Sequence, residues 1–360
     1  MRNPAFLAIC ALTSLALLAP SPARAFEPDD PDAYANTAMP LIDFAILLHP
    51  KLATVLNEVH RSDLFVPVGG GQTIHVVESW SLRSQLRWPR RAAVSVSGPI
   101  TNTDILDVEV EGYDMGARFV ERGYFHYAVD PLGYGDSSRP ADGSLLTIDA
   151  QVGPLEKVLK FARTRSKAGK VDLVSESTGG AMSLLLAKWP HLVRSVTVST
   201  ILYKEISAFG AMVNGDPNFE AYLLAQPNGY VPYSDYTPYY VWSPPEVQAW
   251  FDATQPDLYP TGPFLALIDA IQNDDFPYAG YDISNVSDHV EYLVLVGNDF
   301  ISTQLDAQIL ASELGADLVY LDSPFADQPV FPPPGHTPRL ETIEVADAYW
   351  SEVFEFVDPQ

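Results

Sequence analysis

The chain predicts an α/β fold, a mostly parallel central sheet flanked by helices, on three observations. From about Ser62, short β-rich runs alternate with stretches of helical periodicity, the pattern of a sheet with helices on its faces. The alternation stops between about Ile201 and Ser284 and then resumes, which predicts one domain interrupted by a cap, since a structureless loop of that length is improbable. Between these features "VDLVSESTGGAMSLLLA", from Val171 to Ala187, ends a strand in small polar residues and turns at once into an apolar helix.

In chain order, "DLFVPV" and "TIHVVESW" read as the first two strands, joined by the glycine turn Gly69-Gly70-Gly71, and "AAVSVSG" reads as a buried third. The segment from about Asp107 to Arg122 reads as helical, and the strand "YFHYAVD" follows it. "IDAQVGPLEKVLKFARTRS" is amphipathic, with Val152, Leu155, Val158, Leu159 and Phe161 near helical spacing. Next come the strand "KVDLVS", the helix "GGAMSLLLAKW" and the strand "VRSVTVST". After the insert the strand "EYLVLVG", the helix "TQLDAQILASELG", the strand "ADLVYLD" and a last helix through "ETIEVADAYWSEVFEFV" complete the pattern. The sheet is expected to be parallel after an antiparallel start.

The N-terminus has the features of a secretory signal peptide. Arg2 precedes an apolar run from Ala5 to Leu18, and Ala23 and Ala25 in "PSPARA" match the small-residue spacing of a cleavage site before Phe26. The run falls short of the about 20 apolar residues a membrane span needs, so no stable membrane anchor is expected. The predicted organisation is a signal peptide over 1–25, core over 26–200, a cap or lid over 201–285 and core again over 286–360. A secreted location follows, extracellular or periplasmic. The chain's single cysteine is Cys10, so the mature part has no disulfide, thiol nucleophile or cysteine-held metal. The net charge of −25 repels phosphate backbones and argues against nucleic acid as a partner. Asn285-Val286-Ser287 is an N-glycosylation sequon, relevant only in a eukaryotic host.

A nucleophilic serine needs an exposed hydroxyl, an adjacent base and backbone donors for an oxyanion. A sharp strand-to-helix turn supplies the first and last together, and it demands small residues two before and two after the nucleophile. In "SESTG" Ser177 is central, with Ser175 and Gly179 as the small spacers. A polar loop ending a strand would look similar, but the predicted strand–turn–helix context favours the nucleophile.

With "SESTGG", the upstream "DPLGYGDSSRP" from Asp130 to Pro140, and the late "GND" and "GHTPRLE", the chain resembles the α/β-hydrolase superfamily over nearly all of its mature length. It departs from the family pattern in Ser175, where a glycine is usual, and in Ser97-Gly98-Pro99, where a histidine–glycine pair is usual. The resemblance implies His336 as the base, on a loop after the last strand. It implies Asp299 as the acid orienting that base, with Glu205 as the runner-up. His49, His60, His75, His126, His191 and His289 are expected to be packed or solvated histidines. One oxyanion donor would be the Thr178 N–H. The second would fall at Pro99, which has no N–H, so either the donor is weakened or the loop shifts so that Ile100 or Thr101 donates, and a shift to Ile100 is favoured.

The glycine-rich "DPLGYGDSS" lacks the spacing of a phosphate cradle, and the resemblance makes it a structural turn held by Asp130 and permitted by Gly133 and Gly135. No zinc-like spacing appears, so neither metal nor cofactor is expected. The aromatics of the cap are expected mostly to form its own small core, with a minority roofing Ser177. The predicted activity is hydrolysis of a small-molecule ester or lactone with medium-sized apolar or aromatic groups. A lyase, a peptidase, a cofactor-free peroxidase or a non-catalytic small-molecule-binding protein on the same scaffold are the alternatives. A dehalogenase would carry an aspartate at position 177.

Overall fold

A computed structural model describes residues 50–98, 101–204, 206, 211, 215–232, 243–254, 258–273, 275, 281–297, 303–321, 338–340 and 342–359. In chain order the strands are β1 (His60–Gly69), β2 (Gln72–Trp80), β3 (Arg91–Val96), β4 (Tyr124–Val129), β5 (Val171–Glu176), β6 (Val193–Ser199), β7 (Tyr230–Pro232), β8 (Leu258–Pro260), β9 (Glu291–Val296) and β10 (Asp317–Tyr320). The helices are α1 (Pro50–Leu56), α2 (Leu82–Leu86), α3 (Thr103–Leu106), α4 (Met115–Glu121), α5 (Ile148–Ser166), α6 (Ser177–Leu186), α7 (Pro217–Leu224), α8 (Pro245–Thr254), α9 (Gly262–Asn273), α10 (Gln304–Leu314) and α11 (Ile343–Val357).

Eight strands form one sheet in the order β1-β2-β4-β3-β5-β6-β9-β10. β2 runs antiparallel to both β1 and β4, and every pairing from β4 to β10 is parallel. The β1–β2 turn needs glycine, because Gly69, Gly70 and Gly71 have φ of 96°, 60° and 75°.

Strand alternation divides the core between the two faces of the sheet. Ala92, Val94 and Val96 of β3 and Phe125, Tyr127 and Val129 of β4 join one cluster with α5 and α6. Ala93, Tyr124 and Ala128 between them point into the other, beneath α4 and α11. α5 spans the predicted amphipathic stretch, capped by the Thr147 hydroxyl on Ala150 N, and buries Val152, Leu155, Val158 and Leu159.

The helix expected over Asp107–Arg122 is shorter than its apolar pattern suggests. Helical backbone is confined to Met115–Glu121 and starts where the Asp114 carboxylate accepts from Ala117 N. Upstream, Asp107 and Asp114 form an isolated antiparallel bridge, and Arg61 donates to both carboxylates. Gly112 at φ 91° turns the chain between them. Val108 is buried in the core without being helical.

Between β6 and β9 the described residues form α7, α8 and α9 with the antiparallel pair β7–β8. Their apolar side chains do not form one separate core. Leu223, Val231, Tyr259, Phe264 and Ile268 cluster with Tyr134, whereas Tyr230, Ala270, Tyr281 and Ile283 join the main core. Val247 and Phe251 join the cluster under α11. Trp250 Nε1 also donates to the Asp104 carbonyl oxygen of α3 at 3.0 Å. No helix among the described residues is long and apolar enough to cross a membrane.

Candidate active site

The site is built at the carboxyl end of β5. Glu176 is the last strand residue and Ser177 the first of α6, at φ 52°, a left-handed conformation that non-glycine residues rarely adopt. Ser177 and Thr178 are half-buried, while the strand behind them and the helix beyond are buried. Close packing explains the small residues around the turn. A Cβ at Gly179 would collide with the Val96 carbonyl oxygen, and one at Gly180 would stand 2.7 Å from Ile201 Cγ2. A Cβ at Gly98 would sit 3.8 Å from Ser177 Cβ, so the chain leaving β3 passes directly beside the serine.

Ser175, expected to be a spacer, also makes bonds. Its Oγ accepts from Val96 N at 2.9 Å and from the Ser183 hydroxyl at 2.9 Å. It therefore ties β3, β5 and α6 together immediately below the turn.

The "DPLGYGDSS" turn sits beside this end of the sheet. The buried Asp130 carboxylate accepts from Thr103 N at 2.7 Å, lies 2.9 Å from His75 Nδ1, and fills the space a Gly135 side chain would need. Gly133 and Gly135 have φ of 88° and 43°, as the turn requires. The Gln151 amide of α5 clamps the same turn, accepting from Leu132 N at 3.0 Å and donating to Leu132 O at 2.8 Å. Burial opposes a charge on His75, but its bond to Asp130 and that carboxylate's charge, with a further bond to Asp63, push its pKa up to about 9.

Other histidines have structural surroundings. Burial lowers the pKa of His126 to about 3, and its ring stacks on Phe119 while Nε2 meets Ser95 Oγ. His60 packs on Trp80, and His191 and His289 are exposed. Among the described residues no three His, Cys, Asp or Glu side chains converge as a metal site. His336, Asp299, Glu205, Pro99 and Ile100, with His49 and the segment 1–25 expected to be a signal peptide, lie outside the described residues.

The nearest described residues are Gly297 before Asp299 and Pro338 after His336. β5, β6 and β9 end level, with Glu176 paired to Ser199 and Ser199 to Leu295, so β9 ends one strand away from the serine turn, across β6. Arg339, three residues after His336, is wholly buried and donates from Nε to Glu176 Oε2 at 2.9 Å. Sequence reasoning missed this ion pair, because an isolated arginine in a polar loop gives no signal that it is buried.

A family model described as the alpha/beta hydrolase family matches residues 110–348. No curated protein matches the chain. Among solved structures, a soluble variant of monoglyceride lipase from Saccharomyces cerevisiae, bound to a substrate analogue, is 11% identical with a TM-score of 0.58, covering 83% of this chain and 94% of its own. E-2-(acetamidomethylene)succinate hydrolase is 18% identical with a TM-score of 0.54, covering 83% of this chain and 100% of its own. An esterase from Exiguobacterium antarcticum is 16% identical with a TM-score of 0.50, covering 82% and 99%. At such identities the likeness concerns the fold.

Proposed function

The chain belongs to the alpha/beta hydrolase family, and from that premise we propose that it is a secreted serine hydrolase of carboxylic esters or lactones with medium-sized apolar or aromatic groups. The observation that carries the proposal is Ser177 at φ 52° on the turn between β5 and α6, with the chain after β3 alongside it. Strain at such a turn is worth keeping where it aims a hydroxyl out of the backbone.

In this mechanism the Ser177 hydroxyl attacks the substrate carbonyl while His336 takes its proton. Asp299 fixes the imidazole tautomer and stabilises the charged ring. The N–H groups of Thr178 and Ile100 hold the oxyanion, a term worth roughly 2.7–4 kcal/mol per donor. His336 then protonates the leaving alcohol, the acyl group stays on Ser177, and water activated by His336 releases the acid. The segment 201–285 serves as a cap whose aromatics select the acyl or alcohol part of the substrate.

The test combines an organophosphonate label with a series of p-nitrophenyl esters of rising chain length. The expected outcome is a covalent adduct on Ser177 and turnover that Ser177→Ala abolishes. Folded protein that binds the esters without turning them over and leaves Ser177 unmarked is instead a small-molecule-binding protein.

A further inference from the structure

Arg339 carries no exposed surface, and its guanidinium joins three distant parts of the chain. Nε donates to Glu176 Oε2 at 2.9 Å across 163 residues, and Nη2 donates to the Ile105 carbonyl oxygen at 2.8 Å across 234. Glu176 immediately precedes Ser177. Ile105 belongs to α3, the first element after the loop that leaves β3. Arg339 itself sits in a short 3-10 turn, Pro338–Leu340, all buried, with Leu340 in the cluster under α11.

We infer that Arg339 is a positioning residue: its buried pair with Glu176 holds the base-bearing loop in register with the serine turn. The inference rests on the proposed roles of Ser177 and His336. Three residues of chain span at most about 11 Å, so fixing Arg339 against Glu176 limits where position 336 can stand relative to Ser177. Cohesion alone gives little reason for this pair. A buried ion pair bears a desolvation penalty, and well-packed apolar side chains often stabilise as well or better. What apolar packing lacks is direction. Two donors of one planar fork, aimed at a carboxylate and a carbonyl, fix both distance and orientation, and a lysine cannot make both contacts in that geometry.

The test uses the full chain, with Arg339→Lys, Glu176→Gln and the double variant. Melting temperature, kcat and KM on p-nitrophenyl esters, the pH profile of kcat/KM, and the rate of phosphonate labelling at Ser177 are measured for each. The expected result is cooperative melting in each variant, kcat lowered by about 10²-fold, the loss a misplacement of about 1 Å can cause, and KM little changed. The acidic limb of the pH profile moves, labelling slows in parallel, and the double variant loses no more than the worse single one. Glu176→Gln, close in shape to the native side chain, carries the test where Arg339→Lys does not fold. An active wild type whose folded variants keep its kcat and pH profile, or lose only melting temperature, overturns the positioning role alone. A wild type that takes neither ester nor label overturns the serine-hydrolase reading and the positioning role with it.

Discussion

At Ser175 a side chain takes over from the strand ladder. β3 pairs with β5 at Ala93↔Asp172 and Val94↔Leu173, and the same register carried forward sets Val96 opposite Ser175. There the serine hydroxyl accepts the Val96 N–H as the two strands end. Ser175→Ala leaves that buried donor unpaired, and an unmet buried group costs about 1–3 kcal/mol. Denaturant unfolding of Ser175→Ala should show that loss, and under the proposed function ester turnover slows as well, because Val96 lies two residues before Gly98. Unchanged stability would mean that water or a shifted strand serves instead. His75 allows a second test at this scale. Its pKa is raised in the fold, from 6.5 to about 9, through Asp130 and Asp63 against the opposing effect of burial. The stability it contributes is therefore complete below pH about 6.5 and is lost as pH rises through about 9. The melting-temperature gap between wild type and His75→Gln should be widest below 6.5 and narrow across that window; a constant gap would show that His75 does not titrate there. The serine of the turn was legible from residue types alone, since small-x-Ser-x-Gly at a strand–helix junction is a local pattern. The Glu176–Arg339 pair was not, because its partners are 163 residues apart and each by itself resembles a surface charge.

Elements with continuous local periodicity were legible almost to the residue. α5 begins at Ile148 and ends at Ser166, the limits of the amphipathic stretch. Failure came between Asp107 and Met115. There the apolar residues are buried as their spacing suggests, but Arg61, reaching from β1, pairs with Asp107 and Asp114 and holds the chain as a bridge. Propensity is a weak prior beside a tertiary contact of that kind. α11 closes the opposite face of the sheet, and Trp350 is its central buried side chain, 5.8 Å edge-on to Phe119 and stacked at 5.6 Å on Phe354. Trp350→Ala should cost about 3–5 kcal/mol, the range for deleting a large buried aromatic side chain. Chemical denaturation checks this, and a cost below about 1 kcal/mol would mean that the cluster repacks around the gap.

Across the whole molecule, a net charge of −25 sets a self-repulsion that the fold must outweigh. Salt screens it, with a Debye length of about 10 Å at 0.1 M. Melting temperature at pH 7 should rise as sodium chloride goes from low millimolar to about 0.1 M. A fall would show that specific ion pairs such as Arg61 with Asp107 and Asp114 outweigh the general repulsion. By itself the sequence determined the α/β class, the order of the strands and of the longer helices of the core, and Ser177 at a strand-to-helix turn. All of these are written in local periodicity and residue size, which act over a few neighbours. Only the tertiary structure decided that the insert shares its apolar side chains with the main core and that β3 runs against the serine turn. It alone decided that a buried arginine from the last loop meets the carboxylate beside Ser177. Those contacts join residues far apart in the chain, and they form only once the sheet has brought their strand ends to one edge.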